Sequence, residues 1–137
     1  MTITFTAEDI KLVNMFEHVT GCTVKHVCMF KDMQTFVVGE GEMGKALGKK
    51  GENVQKLERL LNKKIKVVEY STDVRKFVAN LILPNKVQSI VQEDDLIILS
   101  SDDVKTKGLV IGAKAQNLRQ YEVITQKFFP IREIRVV

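Results

Sequence analysis

The run Gly44-Lys45-Ala46-Leu47-Gly48-Lys49-Lys50-Gly51, continuing without a break into Glu52-Asn53-Val54-Gln55-Lys56-Leu57, decides how this chain is read. Two glycines bracket a lysine pair, and an apolar-periodic segment follows at once. Glycine lets a backbone turn tightly and lets a ligand approach with no Cβ in the way. A helix that starts just past such a turn directs its unpaired N–H groups and the positive end of its dipole at whatever sits there. The ligand that suits this arrangement is a phosphate. Lys49 and Lys50 at the tip add charge where no core has use for it, and Lys45 stands one turn earlier.

Charge distribution agrees. The 137 residues carry 21 Lys/Arg against 17 Asp/Glu, a net charge of +4. Residues 44–66 alone hold eight Lys/Arg against Glu52 and Glu58, which leaves the rest of the chain slightly acidic. A local basic patch is what nucleic-acid surfaces look like. With 45% apolar and 28% charged residues the chain has the composition of a folded protein, as one domain or two small ones. No segment approaches the ~20 apolar residues a bilayer span needs. Met1–Asp9 lacks the basic-then-apolar pattern of a secretion signal, and two cysteines make no disulfide framework. The expectation is a cytoplasmic protein with no membrane attachment.

Along the chain, Thr6–Val19 predicts a helix capped by Thr6, with Ile10, Val13, Phe16 and Val19 inward and Gly21 as its stop. Thr23–Phe30 and Thr35–Val38 predict a hairpin across Lys31-Asp32-Met33. After the glycine element, a helix from Glu52 to about Asn62 buries Val54, Leu57, Leu60 and Leu61, and Ile65–Val68 follows as a strand. The order then begins again. Thr72 caps a helix through Leu81 that buries Val74, Phe77, Val78 and Leu81 and ends before Pro84. Val87–Val91 and Leu96–Leu99 form a second hairpin turned at Glu93-Asp94-Asp95. Gly108–Ala115, a helix from Gln116 to about Lys127, and Ile134–Val137 complete the copy.

The repeat holds position by position. At an offset of 64, Gly44, Gly48, Lys50, Asn53 and Glu58 meet Gly108, Gly112, Lys114, Asn117 and Glu122, and Val54, Leu57 and Leu60 meet Leu118, Tyr121 and Ile124. The last strands match at an offset of 69, so the second copy carries five extra residues around Phe128-Phe129-Pro130. Two copies are too few for a solenoid. The chain therefore reads as α+β, two tandem domains of order α-β-β-α-α-β, at 1–70 and 71–137, each with a small three-stranded sheet backed by helices.

Gly48-Lys49-Lys50-Gly51, preceded by Leu47 and followed by an Asn-x-x-x-Leu helix, resembles the GxxG signature of KH domains, a loop that clamps about four nucleotides of backbone. The α-β-β-α-α-β order resembles the type II KH arrangement. Two such units joined through Phe77-Val78-Ala79-Asn80 and Pro84 look like the paired KH domains of the NusA transcription factors, and the chain is most similar to their short archaeal form. The resemblance implies a binder of single-stranded RNA acting in transcription elongation or termination; no residue constellation points to an enzyme, a metal or a cofactor, and a monomer is the expectation. The RNA-binding residues it implies are Gly44, Lys45, Ala46, Leu47, Gly48, Lys49, Lys50, Gly51 and Asn53. The second copy adds Gly112, Ala113, Lys114, Ala115, Asn117 and Arg119. In a KH domain Ala46 and Leu47 would form the floor of a base-binding groove. Alternatives remain open: an adaptor docking on RNA polymerase with incidental RNA contact, or a ribosome-associated or rRNA-processing KH protein.

One departure stands out. The second loop ends in Ala115 where the signature has glycine. If that position needs a positive φ, alanine is strained there by roughly 1 kcal/mol or more; otherwise the loop takes another shape. Residues 92–103 hold Glu93, Asp94, Asp95, Asp102 and Asp103 with no basic residue, so the first domain is expected to dominate binding. Lys56, Arg59, Lys63 and Lys64 read as a solvated helix face more than as direct contacts.

Two decoys fail on the same page. Gly39-Glu40-Gly41-Glu42-Met43-Gly44 imitates a dinucleotide fingerprint, but Gly48 and Gly51 interrupt its helix and two glutamates would face the pyrophosphate. His18, Cys22, His26 and Cys28 are ligand types for zinc without a zinc spacing, and Cys22, His26 and Cys28 share the parity of one buried strand face.

Overall fold

The computed structural model describes residues 5–137. They form an α+β chain of two compact units, one running through Ser71 and the other from Thr72 to Val137. Each unit carries one three-stranded sheet.

The first unit opens with α1 (Ala7–Thr20). The Thr6 hydroxyl accepts the Asp9 N–H, and the Asp9 carboxylate accepts the Thr6 N–H, so the helix starts on a reciprocal cap. Gly21, at φ 73, closes it by donating its N–H to the Glu17 carbonyl. Strands β1 (Val24–Phe30) and β2 (Met33–Val38) are antiparallel. Their turn is only Lys31-Asp32, both at positive φ, a geometry whose twist matches the flanking strands. Met33, expected in the turn, therefore pairs with Phe30 as a strand residue. Helices α2 (Met43–Leu47) and α3 (Glu52–Leu61) follow, and β3 (Lys64–Glu69) lies parallel to β2, giving the order β1-β2-β3. The core is a stacked Phe16–Phe36 pair, ring centroids 4.3 Å apart, enclosed by Val27, Val38, Ala46, Leu57 and Ile65 among others.

Two inward assignments are corrected. Ile10 and Leu60 stand 49% and 57% exposed. Three residues advance a helix by only about 300°, so an every-third row walks off the buried face. The row holds at Val13, Val19 and Val54, which pack against the core, and four-residue steps complete it: Leu12 lies four from Phe16, and Leu61 lies four from Leu57.

The shared parity of Cys22, His26 and Cys28 also fails. A register shift between Val24 and His26 brings both Val24 and Val27 into the core. Cys22 joins that core, while His26 and Cys28 alternate away from Val27. Among the described residues no group of three or more His, Cys, Asp or Glu could hold a metal ion, and no helix is long and apolar enough to cross a membrane.

The second unit opens with α4 (Val74–Ile82), capped by the Asp73 carboxylate on the Arg75 N–H instead of by Thr72. Its Val74, Phe77, Val78 and Leu81 are buried as expected, with Ile82 in addition. The hairpin is β4 (Ser89–Glu93) and β5 (Leu96–Ser100), turned at Asp94-Asp95, so β4 starts two residues later than the sequence suggests. Then come α5 (Val104–Ile111), α6 (Gln116–Gln126) and β6 (Glu133–Val136), which lies parallel to β5 in the order β4-β5-β6. The extra residues after α6 bring Phe128 and Phe129 to within 5.5 and 5.6 Å of the buried Phe77 ring.

A shared bond ties helix to sheet in both units. The Glu58 carboxylate accepts the N–H of Ile65 at 3.1 Å, and that of Glu122 accepts the N–H of Ile134 at 2.8 Å.

Candidate nucleic-acid interface

Each unit joins a short helix to a longer one through a four-residue turn, and the two turns share one backbone. Gly48 has φ 74 and ψ −178, and Gly112 has φ 76 and ψ 174, a region open in practice to glycine alone. Lys50 (φ 56, ψ 28) and Lys114 (φ 54, ψ 32) are both left-handed. Gly51 (φ 73, ψ 19) and Ala115 (φ 60, ψ 23) are left-handed too. The alanine has therefore kept the loop's shape and carries the strain, where the sequence left both outcomes open.

The same hydrogen bonds hold both turns. Gly48 N–H donates to Gly44 at 3.0 Å and Gly51 N–H to Gly48 at 3.3 Å; Gly112 and Ala115 donate to Gly108 and Gly112 at 2.8 and 3.2 Å. The Asn53 amide donates to the Lys45 carbonyl at 3.1 Å, and that of Asn117 to the Leu109 carbonyl at 2.9 Å. A Cβ on Gly48 or Gly112 would fall 2.8 or 2.6 Å from the Asn53 or Asn117 side chain. Asn53 and Asn117 thus latch the turn to the helix before it, which is why both repeats keep a glycine–asparagine pair. No side chain caps α3 or α6, so their first-turn N–H groups lack a side-chain acceptor.

The remaining sequence-derived residues divide. Lys49 and Lys50 are exposed at the tip, as are Ala113 and Lys114. Gly44 and Gly108 are exposed inside their helices, and a Cβ there would meet nothing within 4 Å. Glycine in a helix interior, as at Gly108, costs about 1 kcal/mol relative to alanine, and among the described residues no neighbour requires it at either position. Leu47 is 38% exposed beside the turn, whereas Ala46 is wholly buried in the core and offers no floor to a base. The Lys45 stem runs against Gly21, its Cε 3.3 Å from where a Cβ would sit, at the carboxyl end of α1 where a cation is favoured. Arg119 donates to both carboxylate oxygens of Glu122 at 2.8 Å, so its charge is matched to a buried acid instead of standing at the turn.

Lys56, Arg59, Lys63 and Lys64 are exposed on and just after α3, which keeps the first unit's patch basic. At their repeat positions the second unit has Gln120, Val123, Lys127 and no fourth lysine. Lys66 on β3 differs: burial, and then the nearby Lys31, lower its pKa to about 8, and its Nζ lies 5.0 Å from the centre of the Phe30 ring.

In the dinucleotide decoy Glu42 and Glu69 are scaffold. The Glu42 carboxylate accepts the N–H groups of Thr23 and Gly39, both at 3.1 Å, and that of Glu69 accepts the Gly41 N–H at 3.0 Å. Sequence reasoning missed Glu42 and gave Glu58 and Glu122 no role beyond their match. Only their repeat spacing hinted at one.

A glycine-bounded turn between two helices, set against a three-stranded sheet, is the arrangement of a KH-type protein. The KH domain family matches residues 11–93, more than half of the sequence. Over its whole length the chain is 31% identical to the probable transcription termination protein NusA of Methanococcus vannielii, covering 81% of that protein. It is also 31% identical to the protein of that name from Halobacterium salinarum, over 99% of both chains. The crystal structure of APE1850 superposes with a TM-score of 0.74 at 27% identity, covering 97% of this chain and all of that one. The chain belongs to the KH domain family, in the group of archaeal NusA-like proteins.

Proposed function

We propose that both units, 1–70 and 71–137, are type II KH domains in tandem, and that the chain is a non-enzymatic RNA-binding factor acting in transcription termination or elongation. In this reading the turns Gly48–Gly51 and Gly112–Ala115 grip the backbone of single-stranded RNA. The observation that carries it is the left-handed lysine, Lys50 and Lys114, held in one strained backbone in both copies. Strain kept twice, beside exposed helix glycines that no neighbour among the described residues requires, fits close approach by an external backbone. Phosphates meet the amides at the start of α3 and the ammonium groups of Lys49 and Lys50, while Leu47 faces the bases. The first unit dominates because it has Lys49, Lys56 and Arg59 where the second has Ala113, Gln120 and Val123.

The test is fluorescence anisotropy with labelled single-stranded RNA pools across a salt series. Log affinity should fall linearly with log salt. The Lys49→Asp, Lys50→Asp variant, shown folded by circular dichroism, should lose most of its affinity and about 1.4 of that slope, the share of two phosphate contacts. Equal binding by variant and native chain removes the first turn from the interface.

A further inference from the structure

Among the described residues no strand pairs with the outer edge of β4 in the second sheet, a surface that the turns do not use. In each unit the edge strand farthest from the strand that follows the turn-borne helix is β1 or β4. The β1 edge is guarded: a bulge between Val24 and His26 breaks its register, and the exposed Lys25 sits at the break. Bulges and lysines are the usual means by which a protein blunts a free edge. The β4 edge has neither. Ser89–Glu93 pairs with β5 in unbroken register, contains no lysine or proline, and exposes Val91 at 45%.

Helix α4 runs beside β4, and between them lies a cavity of about 240 Å³. Ile82, Leu83, Val87 and Ile90 line it with apolar groups, and Lys86, which precedes β4 in the chain, lines it too. At the far end of the strand stand Glu93 and Asp94. The other acids nearby are engaged: Asp95 with Arg132 at 3.4 Å, Asp102 with the Gln88 amide at 3.1 Å, and Asp103 as the cap of α5. Among the described residues no ion pair reaches Glu93 or Asp94.

We infer that the groove between α4 and β4 binds an extended segment of a protein partner as a fourth strand, one in which β-branched residues alternate with lysine or arginine. Strand addition supplies main-chain hydrogen bonds along β4, and the alternating side chains choose the ligand. Alternate apolar residues enter the cavity on the Ile90 face, while the basic residues lie on the opposite face, their stems over Val91 and their charges toward Glu93 and Asp94. RNA is a poor occupant, because residues 87–104 contain no Lys or Arg and the edge ends in acids. A second copy is poor as well, since its own Ser89–Glu93 contains no Lys or Arg to meet Glu93 and Asp94. This surface is independent of the RNA-binding turns.

The test is NMR titration of the 15N-labelled full chain with three synthetic hexapeptides. One alternates Lys and Val, one alternates Glu and Val, and one repeats the Lys-Val pattern with a central proline. The Lys-Val peptide should shift the amides of Ser89–Glu93 and the last turn of α4, and the other two should not. The Glu93→Lys, Asp94→Lys variant changes only exposed side chains and should weaken that binding roughly tenfold, the worth of two surface ion pairs reversed. Saturating RNA should leave the shifts in place. Equal shifts from the proline peptide would reduce the effect to charge alone. Shifts elsewhere, loss of the shifts when RNA is added, no shifts at all, or concentration-dependent broadening of β4 without peptide would each overturn the inference, the last in favour of self-pairing.

Discussion

Replacing Gly48 and Gly51 by alanine, one at a time, asks the same chemical question at two positions three residues apart. At Gly48 the backbone (φ 74, ψ −178) lies where L-residues lose about 1–3 kcal/mol. The new Cβ would also stand 2.8 Å from Cγ and Nδ2 of Asn53, displacing the amide from the Lys45 carbonyl. That bond contributes about 1 kcal/mol. Reduced freedom of the unfolded chain returns about 0.4–1 kcal/mol. The net loss for Gly48→Ala is about 2–3 kcal/mol. At Gly51 the backbone is left-handed but within reach of alanine, and a Cβ meets nothing within 4 Å. The left-handed cost of about 1–2 kcal/mol, less the same return, leaves a loss of about 0.5–1 kcal/mol. Urea denaturation of the full chain would measure both, with circular dichroism and with the fluorescence of Tyr70 and Tyr121, one in each unit of a chain without tryptophan. Equal losses, or a larger loss at Gly51, would mean that the turn is not built on these dihedrals and that the asparagine latch does not hold it.

Three further outcomes follow from the second unit and from β3. Ala115→Gly relieves a left-handed alanine and should stabilise its unit by about 0.5–1 kcal/mol, a rise of roughly 2–8 °C in Tm by calorimetry. Glu122→Ala strips Ile134 of its acceptor and leaves Arg119 without its partner; a loss of about 2–3 kcal/mol is expected in urea, with a smaller loss for Glu58→Ala, whose carboxylate makes the longer bond. Lys66, with its pKa lowered to about 8 by burial and then by Lys31, is disfavoured in its charged form by folding. Between pH 8 and the unfolded value near 10.5 the unfolded chain holds the proton and the folded chain does not, so stability rises with pH in that window. Lys66→Met should stabilise the protein at pH 7 and flatten the rise between pH 8 and 10, followed by urea midpoints at each pH.

What the sequence could show and what it could not divide along physical lines. Element order was legible because Gly21, Pro84 and the glycine turns punctuate it, and because each helix repeats its apolar residues. Burial at the margins was not. Ile10 and Leu60 satisfy an every-third rule but not the helix's true pitch, and the bulge near Lys25 flips a strand's parity with no residue to announce it. At the candidate interface, the turn that holds Lys49, Lys50 and the glycines was legible from type and spacing. The roles of Asn53, Asn117 and Arg119 were not, since an amide bonded to a carbonyl eight residues back and a guanidinium bonded to a buried acid are facts of three dimensions. The backbone of Ala115 lay beyond the sequence for the same reason, as alanine is compatible with either loop shape.

The asparagine latch has a consequence for how this surface can change. Because the turn is fixed from beneath, by Asn53 or Asn117 and by main-chain bonds, the side chain at Lys49 or Ala113 carries no responsibility for its form, and the next position need only tolerate the left-handed backbone that Lys50 and Lys114 share. Lys49-Lys50 and Ala113-Lys114 are interchangeable fittings on one mount. A single exchange, Ala113→Lys, would give the second unit the first unit's charge at the tip while leaving its architecture alone. Divergence between the copies can therefore proceed by altering what the mount presents, one side chain at a time, with no intermediate that must refold.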